Sequence, residues 1–221
     1  ALRCLPLEKA KFSENRLFAP LFEAVRDALQ SEALLPCFWG GYHSASKSWL
    51  ARTQDLRELF STRQLADIFG EQEELFWLSD EITQDRTPEL HRYLTNELGV
   101  REQTPGTILS RLDRSFLEAQ LDEWIIRLYE FPSNQHGLRN LIERLPLIRL
   151  ENGTHVSAYN DGIPQAFLPS SLQTGFPTVR RAICTSEKAR AFLQSIGIKE
   201  PDPVDDVIQN LLPKYSSNEI D

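Results

Sequence analysis

The chain has 221 residues, 41% hydrophobic and 25% charged, and a formal net charge of −8. That hydrophobic share excludes intrinsic disorder, and the length allows one substantial domain or two small ones, burying roughly 70% of the unfolded surface. The acidic balance excludes a broad electrostatic grip on nucleic acid or anionic lipid, because clustered Lys and Arg carry such binding.

No apolar run reaches the roughly 18 residues that cross a bilayer, and the N-terminus has no apolar signal region, so the chain reads as cytoplasmic, with no membrane partner. Cys4, Cys37 and Cys184 are too few and too scattered for a disulfide framework and form no CxxC pair. The sequence contains no methionine and ends in the polar run KYSSNEID; it reads as a piece of a longer protein.

In chain order, the first expected helix covers Pro20–Gln30, with Pro20 in the first turn and Leu21, Phe22, Val25 and Leu29 on one face. A hairpin follows, Cys37–Trp39 and Tyr42–Ser44 around Gly40-Gly41. Thr53 caps a short helix through Leu56, Leu59 and Phe60, and a second at Arg63–Phe69 stops at Gly70. Glu74–Leu78 reads as a strand. Thr87-Pro88 starts a helix that Gly99 ends, and Thr104-Pro105 repeats the start.

The longest helix is expected after a Ser115/Glu118 capping box, with Leu117, Leu121, Trp124, Ile125, Leu128 and Phe131 inward, ending before Pro132. A shorter helix, Gln135–Arg144, leads to a second hairpin with a type I′ turn at Asn152-Gly153. Thr178–Cys184 reads as a strand, Ser186 caps a helix ended by Gly197, and Asp202-Pro203 opens a last helix to Leu212, stopped by Pro213.

The chain also matches itself. ELHRYLTNELGVREQTP (Glu89–Pro105) aligns without gaps on EKARAFLQSIGIKEPDP (Glu187–Pro203), a constant offset of 187 − 89 = 98. Glu89/Glu187, Arg92/Arg190, Gly99/Gly197, Glu102/Glu200 and Pro105/Pro203 are identical. Upstream, Leu35-Pro36 pairs with Leu145-Pro146, and Gly41-Tyr42-His43 with Gly153-Thr154-His155. The expected fold is α+β: two related units, each a small hairpin or sheet packed with helices and a helix-Gly-helix element. They cover 13–112 and 113–213, followed by a polar tail at 214–221.

Chemistry-bearing motifs are weak throughout. Ser44-Ala45-Ser46-Lys47 satisfies the S-x-x-K spacing of serine acyl-transfer enzymes, but it follows a Gly-Gly hairpin and lacks K-T-G and S-D-N partners, so it reads as a solvated turn. His43, His91, His136 and His155 have no metal-ligand spacing, and His91 reads as an exposed helix residue. His155 and Asp161 suggest a catalytic loop only in isolation. Asp205-Asp206 reads as a first-turn pair on a helix. Arg180, Arg181, Lys188 and Arg190 form a small basic cluster that reads as an ordinary charged face; the alternative readings of the chain are a serine hydrolase using Ser44 and Lys47, and a nucleic-acid-associated accessory domain using Arg180, Arg181 and Arg190. No catalytic, cofactor or metal residues are assigned; Asn160, Asp161, Arg180 and Arg181 are the expected partner-contact residues.

LPLIRLENGTHV, FPTVRRAIC and SIGIKEPDPVDDVIQNLLPKYS resemble the region downstream of the ATP-binding domain in large sacsin-like bacterial proteins. That ATP-binding domain is of the GHKL type shared by gyrase, heat-shock 90 chaperones and histidine kinases. The resemblance implies a non-catalytic middle module that relays nucleotide state or binds client proteins, with ATP and Mg held elsewhere in the parent protein. Its partners would be other domains of that protein and clients. NDGIP (Asn160–Pro164) has one Asp-Gly but neither the second spaced glycine nor the helix box that nucleotide binding in that family requires.

Overall fold

The computed structural model describes residues 19–72, 74–131, 138–170 and 175–202, and the fold is α+β. The chain divides into two compact units, Ala1–Ile108 and Leu109–Asp221, against a sequence-based boundary at 112/113. The expected helix at 203–212, with Asp205-Asp206, and residues 135–137 of the expected helix Gln135–Arg144 lie outside the described residues.

In the first unit, α1 (Ala19–Ser31) turns Leu29 into the core, with Phe22 and Val25 packed against it, while Leu21 stays half exposed. The hairpin strands are β1 (Leu35–Pro36) and β2 (Tyr42–His43), pairing Leu35 with His43. The first strand therefore lies two residues earlier than Cys37–Trp39, because Cys37 already belongs to the turn: its N–H bonds Gly41 O and its O accepts from Gly40. Gly40 and Gly41 take φ of 92° and 78° there, a conformation that favours glycine.

A strand that the sequence reading left out, β3 (Ser48–Ala51), is the centre of the unit. It is buried at every position, so it has no alternation to betray it. It pairs in parallel with β4 (Phe76–Trp77) on one side and β5 (Glu102–Gln103) on the other. Helices α2 (Gln54–Leu59) and α3 (Thr62–Phe69) connect β3 to β4, and α4 (Pro88–Asn96) connects β4 to β5. Ser61 and Gln64 form a reciprocal capping box on α3, and Gly70 ends it at φ 68°. Thr53 and Thr87 occupy their expected cap positions, but neither side chain makes the cap bond. α5 (Pro105–Leu109) follows β5.

In the second unit, the expected long helix is two: α6 (Arg114–Glu118) and α7 (Asp122–Glu130). Asp113, not Ser115, is the cap of α6, accepting from Phe116 N at 2.7 Å. The break exposes Leu121, at 73%, and frees Gln120 O, which accepts Arg149 Nη1 at 2.6 Å. α8 (Arg139–Ile142) precedes β6 (Ile148–Arg149), which pairs with β7 (His155–Val156); β8 (Tyr159–Asn160) pairs with β9 (Ile163–Pro164). The Asn152-Gly153 turn is not type I′: only Gly153 has positive φ, 87°, and Asn152 Oδ1 accepts from Thr154 N–H and Oγ1. Thr178–Cys184 is not a full strand; Thr178 and Val179 bridge to neighbours, and a 3₁₀ turn follows at Ile183–Thr185. α9 (Glu187–Ser195), capped by Ser186 as expected, packs on α7.

The two units share a set of main-chain hydrogen bonds. Cys37 N→Gly41 O and Gly40 N→Cys37 O correspond to Leu150 N→Thr154 O and Gly153 N→Leu150 O. Phe38 N→Trp77 O and Ser79 N→Pro36 O correspond to Glu151 N→Thr178 O and Arg180 N→Arg149 O. Leu78 N→Trp49 O, Leu50 N→Arg101 O and Ile82 N→Ser79 O correspond to Val179 N→Phe167 O, Leu168 N→Lys199 O and Ile183 N→Arg180 O. Arg101/Lys199 is the pairing the sequence alignment produced. The hairpin pairing shifts: Leu35-Pro36 matches Ile148-Arg149, not Leu145-Pro146, and Gly40, not Gly41, matches Gly153. Pro36 has no N–H to satisfy; at the matching position Arg149 N–H donates to the buried Tyr129 Oη at 2.9 Å.

Candidate functional site

The first unit has a parallel sheet of order β4-β3-β5, so the chain leaves β3 for one side and returns on the other. Such a switch point opens a crevice beyond the carboxyl ends of the strands, the usual ligand position in parallel sheets. Here the crevice measures about 320 Å³ and is lined by Arg52 and Arg57 after β3, Asp80, Asp85 and Arg86 after β4, and Glu102 of β5, among others. Its base is made by α2, part of the two-helix connection 54–69. The matching stretch of the second unit, from Leu168 to Thr178, is much shorter.

Arg57 is only 2% exposed. Its Nε donates to Leu78 O at 3.2 Å and its Nη2 to Ala51 O at 3.1 Å, so it ties the ends of β4 and β3 together. Burial lowers its pKa, with Asp80 and Glu102 opposing the shift through space. Arg52 Nη1 bonds Gln84 Oε1 at 3.0 Å and lies 3.5 Å from Glu102 Oε2. Glu102 Oε1 is 3.1 Å from His91 Nε2, so His91 is a buried partner of a carboxylate, not the exposed helix residue expected. Arg86 lies 3.8 Å from Asp80. None of these residues was singled out from sequence as a site. The signal would have been the buried strand β3 followed by Arg, which patterning alone does not reveal.

The expected partner-contact residues fall in two places. Asp161 and Gly162, at φ 49° and 79°, form the two-residue turn of the β8–β9 hairpin, which presents Asn160 and Asp161 to solvent; positive φ at both positions makes this a type I′ turn. Arg180 Nε pairs with Asp122 Oδ2 at 2.7 Å, and Arg181 N–H donates to Glu151 Oε2 at 2.9 Å. No hydrogen bond or ion pair among the described residues joins Asn160 or Asp161 to Arg180 or Arg181. Two members of the basic cluster are paired with carboxylates, Arg180 with Asp122 and Arg190 with Glu200 at 2.6 Å.

The other sequence candidates resolve individually. Ser44 is buried, not solvated; its Oγ shares a hydrogen bond of 2.9 Å with Ser46 Oγ, and it precedes a 3₁₀ turn, Ala45–Lys47, not the α-helix that S-x-x-K chemistry uses. His43 stacks on Phe76, with ring centroids 3.4 Å apart. His155 is fully buried with both ring nitrogens unpartnered, and burial, followed by the Arg149 charge, lowers its pKa to about 4; the Pro146 and Leu147 carbonyls oppose this from outside hydrogen-bond geometry. Asp161, exposed on a hairpin tip, gives it no catalytic partner. Asn160–Pro164 forms the β8–β9 hairpin. No cluster of three metal-ligating side chains, and no helix long and apolar enough to cross a membrane, occurs among the described residues.

No protein-family model matches the sequence, and neither a curated protein nor a solved structure shows significant similarity to it.

Proposed function

We propose that this chain is a non-catalytic interaction module of a larger chaperone-like ATPase protein, a scaffold of two related α+β units that relays nucleotide state from a neighbouring domain or offers a surface to clients. The observation that carries this reading is a main-chain skeleton repeated in both units with different side-chain chemistry at matched places. His91 stands where Ala189 does, and Asp80 where Arg181 does, by the hydrogen-bond and sequence correspondences above. Glu102 and Glu200 are identical at matched positions but pair differently, with Arg52 and His91 in one unit and with Arg190 in the other, and a framework kept while its charged contacts change suits a structural task.

Contact surface is available on the first hairpin, where Trp39 and Tyr42 are 63% and 62% exposed. Trp39 also borders a hollow of about 380 Å³ with Cys37, Ser61, Phe76 and Trp77. Exposed aromatics beside a pocket are the commonest anchors of protein interfaces. ATP and Mg would belong to the neighbouring domain.

The test is direct. The purified chain is expected neither to bind nor to hydrolyse ATP in the presence of Mg, and Trp39→Ala is expected to weaken its association with the remainder of the parent protein supplied in trans. Turnover of ATP by this chain alone overturns the reading.

A further inference from the structure

The switch-point crevice takes no part in the scaffold reading, and we infer that it is a binding site for a small zwitterion bearing a carboxylate and an ammonium group, the chemistry of a free amino acid or dipeptide. The buried charge is the first argument. Arg57 keeps a guanidinium at 2% exposure with hydrogen bonds to two neutral carbonyls and none to a carboxylate. Its Nη1 has no hydrogen-bond partner among the described residues. Nη1 is not among the fully buried atoms that lack a partner, so it is a charged donor open to the crevice. Asp80 and Glu102 act on Arg57 only through space, and each also faces another group: Asp80 faces Arg86, and Glu102 faces His91 and Arg52. A ligand carboxylate at Nη1 would meet the remaining donor.

The second argument is the balance of the lining. Three guanidiniums, Arg52, Arg57 and Arg86, share the lining with three carboxylates, Asp80, Asp85 and Glu102. A dianion would lie beside the acids and a dication beside the arginines, whereas a ligand of both signs matches both. Asp85, on the exposed rim, has no hydrogen bond or ion pair among the described residues and is the place for the ammonium group. A volume of about 320 Å³ stands at the small end of ligand clefts. Among the described residues the second unit has no counterpart of Arg57, whose connection, 54–69, matches a much shorter stretch of chain there. This inference does not depend on the scaffold reading: ATP turnover would overturn that reading and leave this one standing.

Titration of the whole chain by calorimetry against alanine, glutamate, lysine and glycylglycine tests it, with succinate, inorganic phosphate and 1,4-diaminobutane alongside. At least one zwitterion is expected to saturate at one site while the single-sign compounds do not at the same concentration. Asp85→Asn, on the surface, is expected to weaken that binding about tenfold, the loss of one charge-assisted hydrogen bond, with an unchanged thermal midpoint. Arg57→Lys should abolish it, and since Arg57 also ties two strands its thermal midpoint is recorded beside the titration. The inference falls if no zwitterion saturates, if succinate or phosphate binds in preference, or if Asp85→Asn binds as tightly as the parent chain.

Discussion

Two buried tyrosines make opposite uses of the same hydroxyl. Tyr129 Oη donates to Leu147 O at 2.8 Å and accepts Arg149 N–H at 2.9 Å, so it completes the edge of β6, and burial raises its pKa. Tyr93 Oη is buried with no partner. Tyr129→Phe should therefore cost about 2 kcal/mol by leaving a main-chain donor and acceptor unsatisfied, while Tyr93→Phe should be neutral or slightly stabilising. Urea unfolding of the two variants checks the contrast. His155 supplies a pH effect with a definite sign. Its folded pKa, about 4, lies below the ordinary value of 6.5, so as acid is added the unfolded chain takes up the proton first. The stability it contributes is complete above about pH 6.5 and falls progressively toward pH 4, by on the order of 3 kcal/mol. In His155→Leu that acid limb should shrink, measured as the urea midpoint against pH; an unchanged limb would show that other groups carry it.

Among the elements, the helix-glycine joints are the parts most legible in sequence. Gly99 and Gly197 take φ of 69° and 90°, as the alignment of the two segments required, and Leu94/Phe192, Leu98/Ile196 and Val100/Ile198 are buried at matching places. The joints nonetheless differ in their surroundings. Nothing lies within 4 Å of a side-chain carbon added at Gly99, whereas at Gly197 it would meet the Tyr159 hydroxyl, which donates to Gly197 O at 2.8 Å. Gly99→Ala should cost about 1 kcal/mol from backbone strain alone. Gly197→Ala should cost clearly more and disturb the β8–β9 hairpin, seen as loss of protection at the Gln165 amide, which bonds Ala158 O. The long helix expected across 115–131 shows the opposite case. Its apolar spacing is continuous, yet Asp122 begins a new helix because its carboxylate is held by Arg180 and lies 3.4 Å from Arg149. Charges from elsewhere in the chain outweigh local propensity there.

At the scale of the whole molecule, the paired hydrogen bonds make a test of the proposed duplication. Leu50 and Leu78 donate the bonds that join β3 to its neighbours, and Leu168 and Val179 donate the matching bonds at Phe167-Leu168 in the second unit. Their amides should be among the slowest to exchange in their own units, since sheet cores open only with the unit; fast exchange at Leu168 and Val179 beside slow exchange at Leu50 and Leu78 would show the second skeleton to be a loose likeness. By itself the sequence determined the α+β class, most helix starts and stops, the helix-ending glycines of positive φ at Gly70, Gly99 and Gly197, and the alignment of 89–105 on 187–203, because caps, prolines and glycines act on their immediate neighbours. Only the tertiary structure decided the rest. A central strand buried on both faces has no period to read, the hairpin register is set by which backbone groups find partners, and the crevice exists only where three strand ends meet side chains up to 50 positions apart, Arg52 and Glu102. Such contacts depend on chain closure, which no local pattern encodes.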